Sequence, residues 1–313
     1  MTTEYFDDIG NGITCIDAAY VEPGMACFYL LEADGEYAVI ETGTSRSLDN
    51  LRALMAERAI RPEQIRYVIP THVHLDHAGG AGAMMAALPR AQLLIHPRGA
   101  RHMADPGQLV AASRAVYGDD LFDELYGEIR PVPSSRIREV ADGELLHLGR
   151  RPLLFRHTEG HARHHFCLWD ETSGGWFTGD MFGVCYSRFR FPGGDFVLPS
   201  TTPTQFDPDA YLESLALLDR RAPRRVYLTH YGVLDYDGEK SRRLAQQVEA
   251  YRRLAAADEL AGEALDEALA QDALARIREM DTRTPEDQLR RWLRFDLQLN
   301  AQGLQNWRER LRD

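Results

Sequence analysis

The chain has 313 residues, 44% apolar and 27% charged, which is enough for a sizeable core in one large domain or one domain with an appendage. Its 36 Lys and Arg stand against 48 Asp and Glu, a net charge of −12 with the arginines scattered among acids, as in "SRRLAQQVEAYRR"; this argues against a nucleic-acid partner. No stretch approaches the ~20 apolar residues of a membrane span, and "MTTEYFDDIGNG" lacks the basic and apolar parts of a signal peptide, so a cytoplasmic protein with no membrane partner is expected.

In chain order, "GITCIDAAY" and "MACFYLLEADGEYAVIETG" hold apolar strand-like runs, with Asp34-Gly35 as the turn of a hairpin. "SLDNLRALMAERAI" places Leu48, Leu51, Leu54 and Met55 at helical spacing. "RYVIP" reads as a short buried strand that runs into "THVHLDHAGG" at 71–80. Ala81 to Leu88 is expected as a helix, "AQLLIHP" as a strand, and 106–127 as helical but weakly patterned. Strands return between 136 and 180, in "RIREVA", "ELLHLG", "PLLFRHTEGHARHHFCLWD" and "GGWFTGD", with Asp142-Gly143 and Ser173-Gly174-Gly175 as turns. Residues 183–208 are rich in Pro, Gly and aromatic groups and show no period, the mark of a functional or mobile loop. "PDAYLESLALLDRRA" reads as a helix and "RRVYLTHYG" as a strand ending in a histidine.

After about residue 238 the sequence becomes Ala- and Leu-rich and all-helical. Thr284-Pro285 with Asp287 marks a fresh helix start with Pro at the first position. Leu289, Trp292, Leu293 and Leu297 share one face of it, and Gly303 is expected to end or kink it. Cys15, Cys27, Cys167 and Cys185 have no C-x-x-C spacing and are expected as buried thiols of a reducing compartment.

The chemistry concentrates in a few places. His72, His74, Asp76 and His77 lie within six positions; His161 follows in "TEGHARHH", Asp180 in "FTGD" and His230 in "LTHYG". Each falls where a strand should run out into a loop, the place where scaffolds display functional groups. Five imidazoles and two carboxylates are ligands that zinc, iron or manganese accept. In an extended strand end His72 and His74 project to the same side. A turn then brings Asp76 and His77 round, and Ala78-Gly79-Gly80 keeps the following backbone close. Residues 71–80 thus read as half of a metal site.

With these residues in view, the chain resembles the metallo-β-lactamase-fold superfamily of metal-dependent hydrolases. H-x-H-x-D-H followed by Ala-Gly-Gly, then G-H, T-G-D and T-H, stand in that family's order across roughly residues 13–235. The resemblance implies an α/β protein, a four-layer αββα sandwich with a C-terminal helical extension. It divides as a catalytic domain over 1–237 and helices over 238–313. It further implies two divalent metal ions, zinc by default with iron or manganese as alternatives. His72, His74 and His161 would bind one; Asp76, His77 and His230 the second; Asp180 would bridge them. Two such ions about 3.5–4 Å apart hold a bridging hydroxide at neutral pH, which Asp76 would orient or relieve of its proton. "TGTSRS" lacks the G-x-S-x-G elbow of a serine hydrolase.

Glu41 in "VIETG" stands where that family usually has an aspartate that supports the ligands. His165 is expected to support or pack beside the ligands, and His164, its neighbour on a strand, to face solvent. His96 is given a structural role; His102, His147 and His157 are assigned none. Tyr186, Arg188 and Phe189, with Arg190 and Phe191, alternate aromatic and basic groups. They suit a loop that covers a substrate, or a segment packed on the terminal helices or a second subunit. Tyr231 beside His230 either donates to a developing oxyanion or packs.

The helical extension makes the chain most similar to the hydroxyacylglutathione-hydrolase-like branch, which implies thioesterase or lactonase action on an ester-like bond of a small-molecule substrate. The alternative is a di-iron protein with oxygen-binding or redox function. Relatives of that kind usually carry glutamate where His74 stands. The terminal helices either pack on the main domain or join two copies in a homodimer.

Overall fold

The computed structural model of the chain describes residues 5–256 and 261–312. The apolar runs gather into two sheets. The first takes β1 (Phe6–Asp8), β2 (Ile13–Asp17), β3 (Cys27–Ala33), β4 (Glu36–Ile40), β5 (Ile65–Ile69), β6 (Gln92–Ile95) and β7 (Ile137–Glu139) in chain order. Pairing is antiparallel from β1 to β4 and parallel from β4 to β7. The hairpin of β3 and β4 turns at Asp34-Gly35, whose φ values of 53° and 77° suit a tight right-twisted turn. The parallel strands need crossovers. These hold α1 (Ser47–Glu57), α2 (Leu75–Ala78), α3 (Ala81–Ala87), α4 (Pro97–Ala104), α5 (Gly107–Tyr117) and α6 (Asp119–Tyr126).

The second sheet uses β8 (Leu145–Leu148), β9 (Arg151–His157), β10 (Phe166–Asp170), β11 (Gly175–Gly179), β14 (Arg225–Leu228) and β15 (Gly232–Asp235), in the order β15-β14-β11-β10-β9-β8. Between β11 and β14 lies a two-stranded hairpin, β12 (Arg190–Phe191) with β13 (Gly194–Asp195). The core between the sheets includes Tyr29, Phe155, Phe166, Phe177 and Tyr227. A second core, with Leu51, Leu54, Val68, Met84 and Phe122, lies between the first sheet and its helices. Each such side chain contributes about 1.5–3 kcal/mol by leaving water.

Two compact units result. One comprises Met1–His157, His164–Gly179 and Arg224–Leu234, and so holds both sheets. The other comprises Thr158–Arg163, Asp180–Pro223 and Asp235–Asp313. The second unit contains α7 (Pro208–Asp219), α8 (Glu239–Ala256), α9 (Glu263–Arg278) and α10 (Glu286–Arg310). Asp207 starts α7 by accepting the amides of Asp209 and Ala210, both at 3.1 Å, with Pro208 at the first helical position. On α10, Leu289, Leu293 and Leu297 form the buried stripe that their spacing predicts.

Two local expectations fail. Gly303 neither ends nor interrupts α10, which continues to Arg310. It lies against the chain at 201–202, where a Cβ would stand 2.3 Å from Thr201 Oγ1 and 2.8 Å from Thr202 O. Residues 158–165 are a turn between β9 and β10 rather than strand. Among the described residues no disulfide forms, all four cysteines are buried, and no helix is long and apolar enough to cross a membrane.

Candidate metal centre

Because β4 and β5 run parallel, with Ile40 opposite Ile69, both strands deliver their next residues to the same edge. Glu41 leaves β4 with φ +64°, and its carboxylate is 1% exposed. Its Oε2 accepts the Thr71 amide at 3.0 Å. Its Oε1 accepts Thr71 Oγ1 at 2.5 Å, His77 Nδ1 at 3.1 Å and Thr229 Oγ1 at 3.1 Å. The glutamate thus ties the ends of β4, β5 and β14 together, and its extra methylene is accommodated.

The hydrogen bonds fix how each ring is turned. Thr71 spends its proton on Glu41, so its oxygen accepts His72 Nδ1–H at 3.1 Å. His77 gives Nδ1–H to Glu41, and His230 gives its own to Met25 O at 2.8 Å. In the second unit His161 gives Nδ1–H to Ser200 O at 3.0 Å. In all four rings Nδ1 is engaged by an oxygen of the protein, which leaves Nε2 as the atom that a metal would take.

Those nitrogens meet further donors. In the first unit His72 Nε2 is 2.8 Å from His74 Nδ1. His230 Nε2 and His77 Nε2 are 3.3 Å and 3.7 Å from Asp76 Oδ2. Asp76, His77 and His230 place one ligand atom each within 4.8 Å of one another. The His72 and His77 rings are 4.0 Å apart, so His72, His74, Asp76, His77 and His230 form one group. The short turn α2 produces this by carrying Asp76 and His77 back under His74, and Thr42 holds the turn at His77 O. Gly80 must be glycine there, since a Cβ would meet Thr42 O at 2.4 Å.

In the second unit His161 Nε2 is 3.4 Å from Asp180 Oδ2, which also accepts Ser200 Oγ at 3.0 Å. Ser200 therefore serves both residues, one through its carbonyl and one through its hydroxyl. Gly160 precedes His161 with φ +130°, and a Cβ would stand 2.4 Å from Tyr211 Cα. The donor set of imidazole nitrogens with carboxylates suits divalent cations of zinc or iron type.

The remaining expected residues are placed as follows. His165 is fully buried with its ring 5.0 Å from that of His72. His164 is not exposed, as strand alternation had suggested. It lies in the 158–165 turn, 6% exposed, with its ring 6.1 Å from His72 and 5.5 Å from His74. His96 caps α4 by accepting the Arg98 amide at 3.1 Å, and its ring lies tilted 4.0 Å from that of His157. Tyr186 and Phe189 are buried. The Tyr186 hydroxyl donates to Asp296 at 2.9 Å, and Arg188 lies over the Tyr186 ring and reaches Trp292 O at 3.4 Å. These groups join the 183–198 loop to α10. Tyr231 packs on the core between the sheets, and burial raises its hydroxyl well above the usual tyrosine range. The sequence reading missed Thr71, Ser200 and the Met25 carbonyl, which carry no chemical signature of their own.

A sequence model described as the metallo-beta-lactamase superfamily matches residues 22–230. The metallo-beta-lactamase fold-containing protein ST1585 of Sulfurisphaera tokodaii is 26% identical over 230 residues, 72% of this chain and 80% of its own length. Its crystal structure superposes with a TM-score of 0.64 over 87% of this chain and 98% of that chain, at 23% identity. The human acyl-coenzyme A thioesterase MBLAC2 is 28% identical over 55% of this chain and 64% of its own length. A hydroxyacylglutathione hydrolase of Anaeromyxobacter dehalogenans is 33% identical over 34% of this chain and 36% of its own length, a narrower likeness. The fold, the ordered ligands and the family match agree: this chain belongs to the metallo-beta-lactamase superfamily.

Proposed function

We propose that the two groups of ligands form one dinuclear zinc centre, and that the protein is a hydrolase cleaving the acyl thioester of a small-molecule substrate. His72, His74 and His161 would hold one ion and Asp76, His77 and His230 the other, with Asp180 between them. Such ions, when bound, polarise the carbonyl under attack and bring the pKa of a water from 15.7 towards about 7. Asp76 is the candidate carboxylate open to solvent, its side chain 21% exposed against 7% for Asp180. It is therefore the group placed to orient an attacking water and take its proton.

The observation that carries this reading is the four imidazoles fixed through Nδ1, each with Nε2 turned to a carboxylate or another ring. The thioester is placed before the lactone because relatives are named an acyl-coenzyme A thioesterase and a hydroxyacylglutathione hydrolase. The test is elemental analysis of the native protein and of Asp180→Ala, with both assayed on an acyl-coenzyme A, an S-acylglutathione, a lactone and a phosphodiester. About two zinc ions per chain and thioester cleavage, both reduced in the variant, support the reading. About two iron ions without hydrolysis overturn it in favour of the di-iron alternative.

A further inference from the structure

We infer that Asn300, on the C-terminal helix and outside the family match at 22–230, is a positioning residue of the metal centre. The inference rests on the dinuclear reading above and concerns how His161 and Asp180 are held. Asn300 is 2% exposed on α10. Its Nδ2 donates to Pro199 O at 2.8 Å and its Oδ1 accepts the Thr201 amide at 2.9 Å. One planar amide thus grips the peptide groups on both sides of Ser200, as a neighbouring β-strand would. Thr201 Oγ1 adds a bond to Asn300 O at 3.3 Å.

What the amide grips is the strap that orients the ligands. Ser200 O holds His161 Nδ1 and Ser200 Oγ holds Asp180 Oδ2, each at 3.0 Å. Thr202 Oγ1 donates to His161 O at 2.9 Å. Fixing residues 199–202 therefore fixes the ring of His161, its tautomer and one oxygen of Asp180 together. Two further features serve the same arrangement. Tyr251 of α8, 1% exposed, takes the other proton of the Asn300 amide at 3.3 Å and sets which way it faces. Gly303, three residues on, lets the helix backbone reach Thr201 and Thr202 at the price of a glycine inside a helix. A helix that only filled space would need neither a buried amide at 300 nor a glycine at 303.

The experiment titrates the metal-free full chain with zinc against a chromophoric chelator, for wild type, Asn300→Ala and Leu293→Ala. Leu293 is fully buried on the same helix two turns earlier and touches no part of the strap by hydrogen bond, so it reports what loosening α10 does by itself. Thermal unfolding of each metal-free protein measures that loosening. Asn300→Ala should weaken at least one zinc step by about 10–100-fold, and Leu293→Ala should leave both steps within about threefold of wild type even if it lowers the unfolding midpoint as much. Asn300→Asp, which keeps the acceptor for Thr201 but sets an oxygen against Pro199 O, should fall between wild type and alanine. Equal weakening by the alanine variants at 300 and 293, or wild-type affinity in Asn300→Ala, overturns the assignment. Zinc affinity is read without turnover, so a wild type that binds zinc but cleaves no thioester refutes the hydrolase reading and leaves this one standing.

Discussion

Replacing Glu41 by glutamine separates the charge of this side chain from its size. The carboxylate accepts from four donors, three of them on Oε1. The amide has one acceptor oxygen, and the better orientation keeps it at the Oε1 position. The new NH2 group then faces the Thr71 N–H, donor against donor, in a place 1% exposed where no water can intervene. A buried amide left in that state, with three charge-assisted bonds reduced to neutral ones, costs about 2–4 kcal/mol. The second effect falls on the ligands. His77 loses the anion that holds its Nδ1 proton, and Thr71 shifts from the position that orients His72. Outer partners of metal-bound histidines are worth about 10–100-fold in affinity, so zinc should weaken by that factor. Urea unfolding of the metal-free protein and zinc titration against a chelator read the two quantities separately. Glu41→Gln within about 0.5 kcal/mol and threefold of wild type would show that the carboxylate only fills space, and the argument from shared hydrogen bonds would fail.

Other positions make the same geometry testable. Gly179 has φ +49°, and a Cβ there would stand 2.4 Å from Thr71 Oγ1 and 2.6 Å from His165 Nε2. Gly179→Ala should therefore lose about 2 kcal/mol or more in denaturant unfolding and weaken zinc; an alanine that unfolds like wild type contradicts the crowding. Burial first, then the nearby His157 and Arg98, hold His96 down at about 4 from an ordinary 6.5. A depressed pKa means that the stability from neutral His96 is fully present above about pH 6.5 and is lost as pH falls towards 4, on the order of 2–3 kcal/mol in all. His96→Asn keeps a good cap for α4 and removes the titration, so its stability curve should be flatter across that window; parallel curves would refute the assignment.

The candidate ligands were legible as a set because each pairs a distinctive side chain with a strand end, and chain order added the rest. His72 and His74 converge as two-residue periodicity requires. What orients the rings was not legible. A carbonyl at Met25 or Ser200 belongs to the backbone, and any residue could supply it, so only the fold reveals it. His164 was misread for a related reason: alternation between two faces was applied past the end of β9, where the chain turns and both His164 and His165 go inward. Gly303 shows propensity yielding to contact. A glycine in a helix predicts a break, but the closeness of Thr201 and Thr202 favours the missing side chain and the helix continues. The outer segments were harder still, since "VCYSRFRFPGGDFVLP" has no period and takes its order from α10.

That dependence on α10 separates two roles on one helix. Asp296 accepts the Tyr186 hydroxyl and so holds the 183–198 loop, and Asn300, one turn on, holds the strap at 199–201. If the loop covers the substrate, the roles should dissociate on mutation. Asp296→Asn removes the charge from a half-buried hydroxyl–carboxylate bond, which weakens it by about 1–2 kcal/mol and frees the loop without reaching Ser200. KM for the thioester should rise by about 5–30-fold, with both zinc affinities unchanged. A loop that merely packs predicts a loss of stability with KM unmoved. A fall in zinc affinity in Asp296→Asn would mean that loop and strap move as one body, and the division of labour along α10 would be wrong.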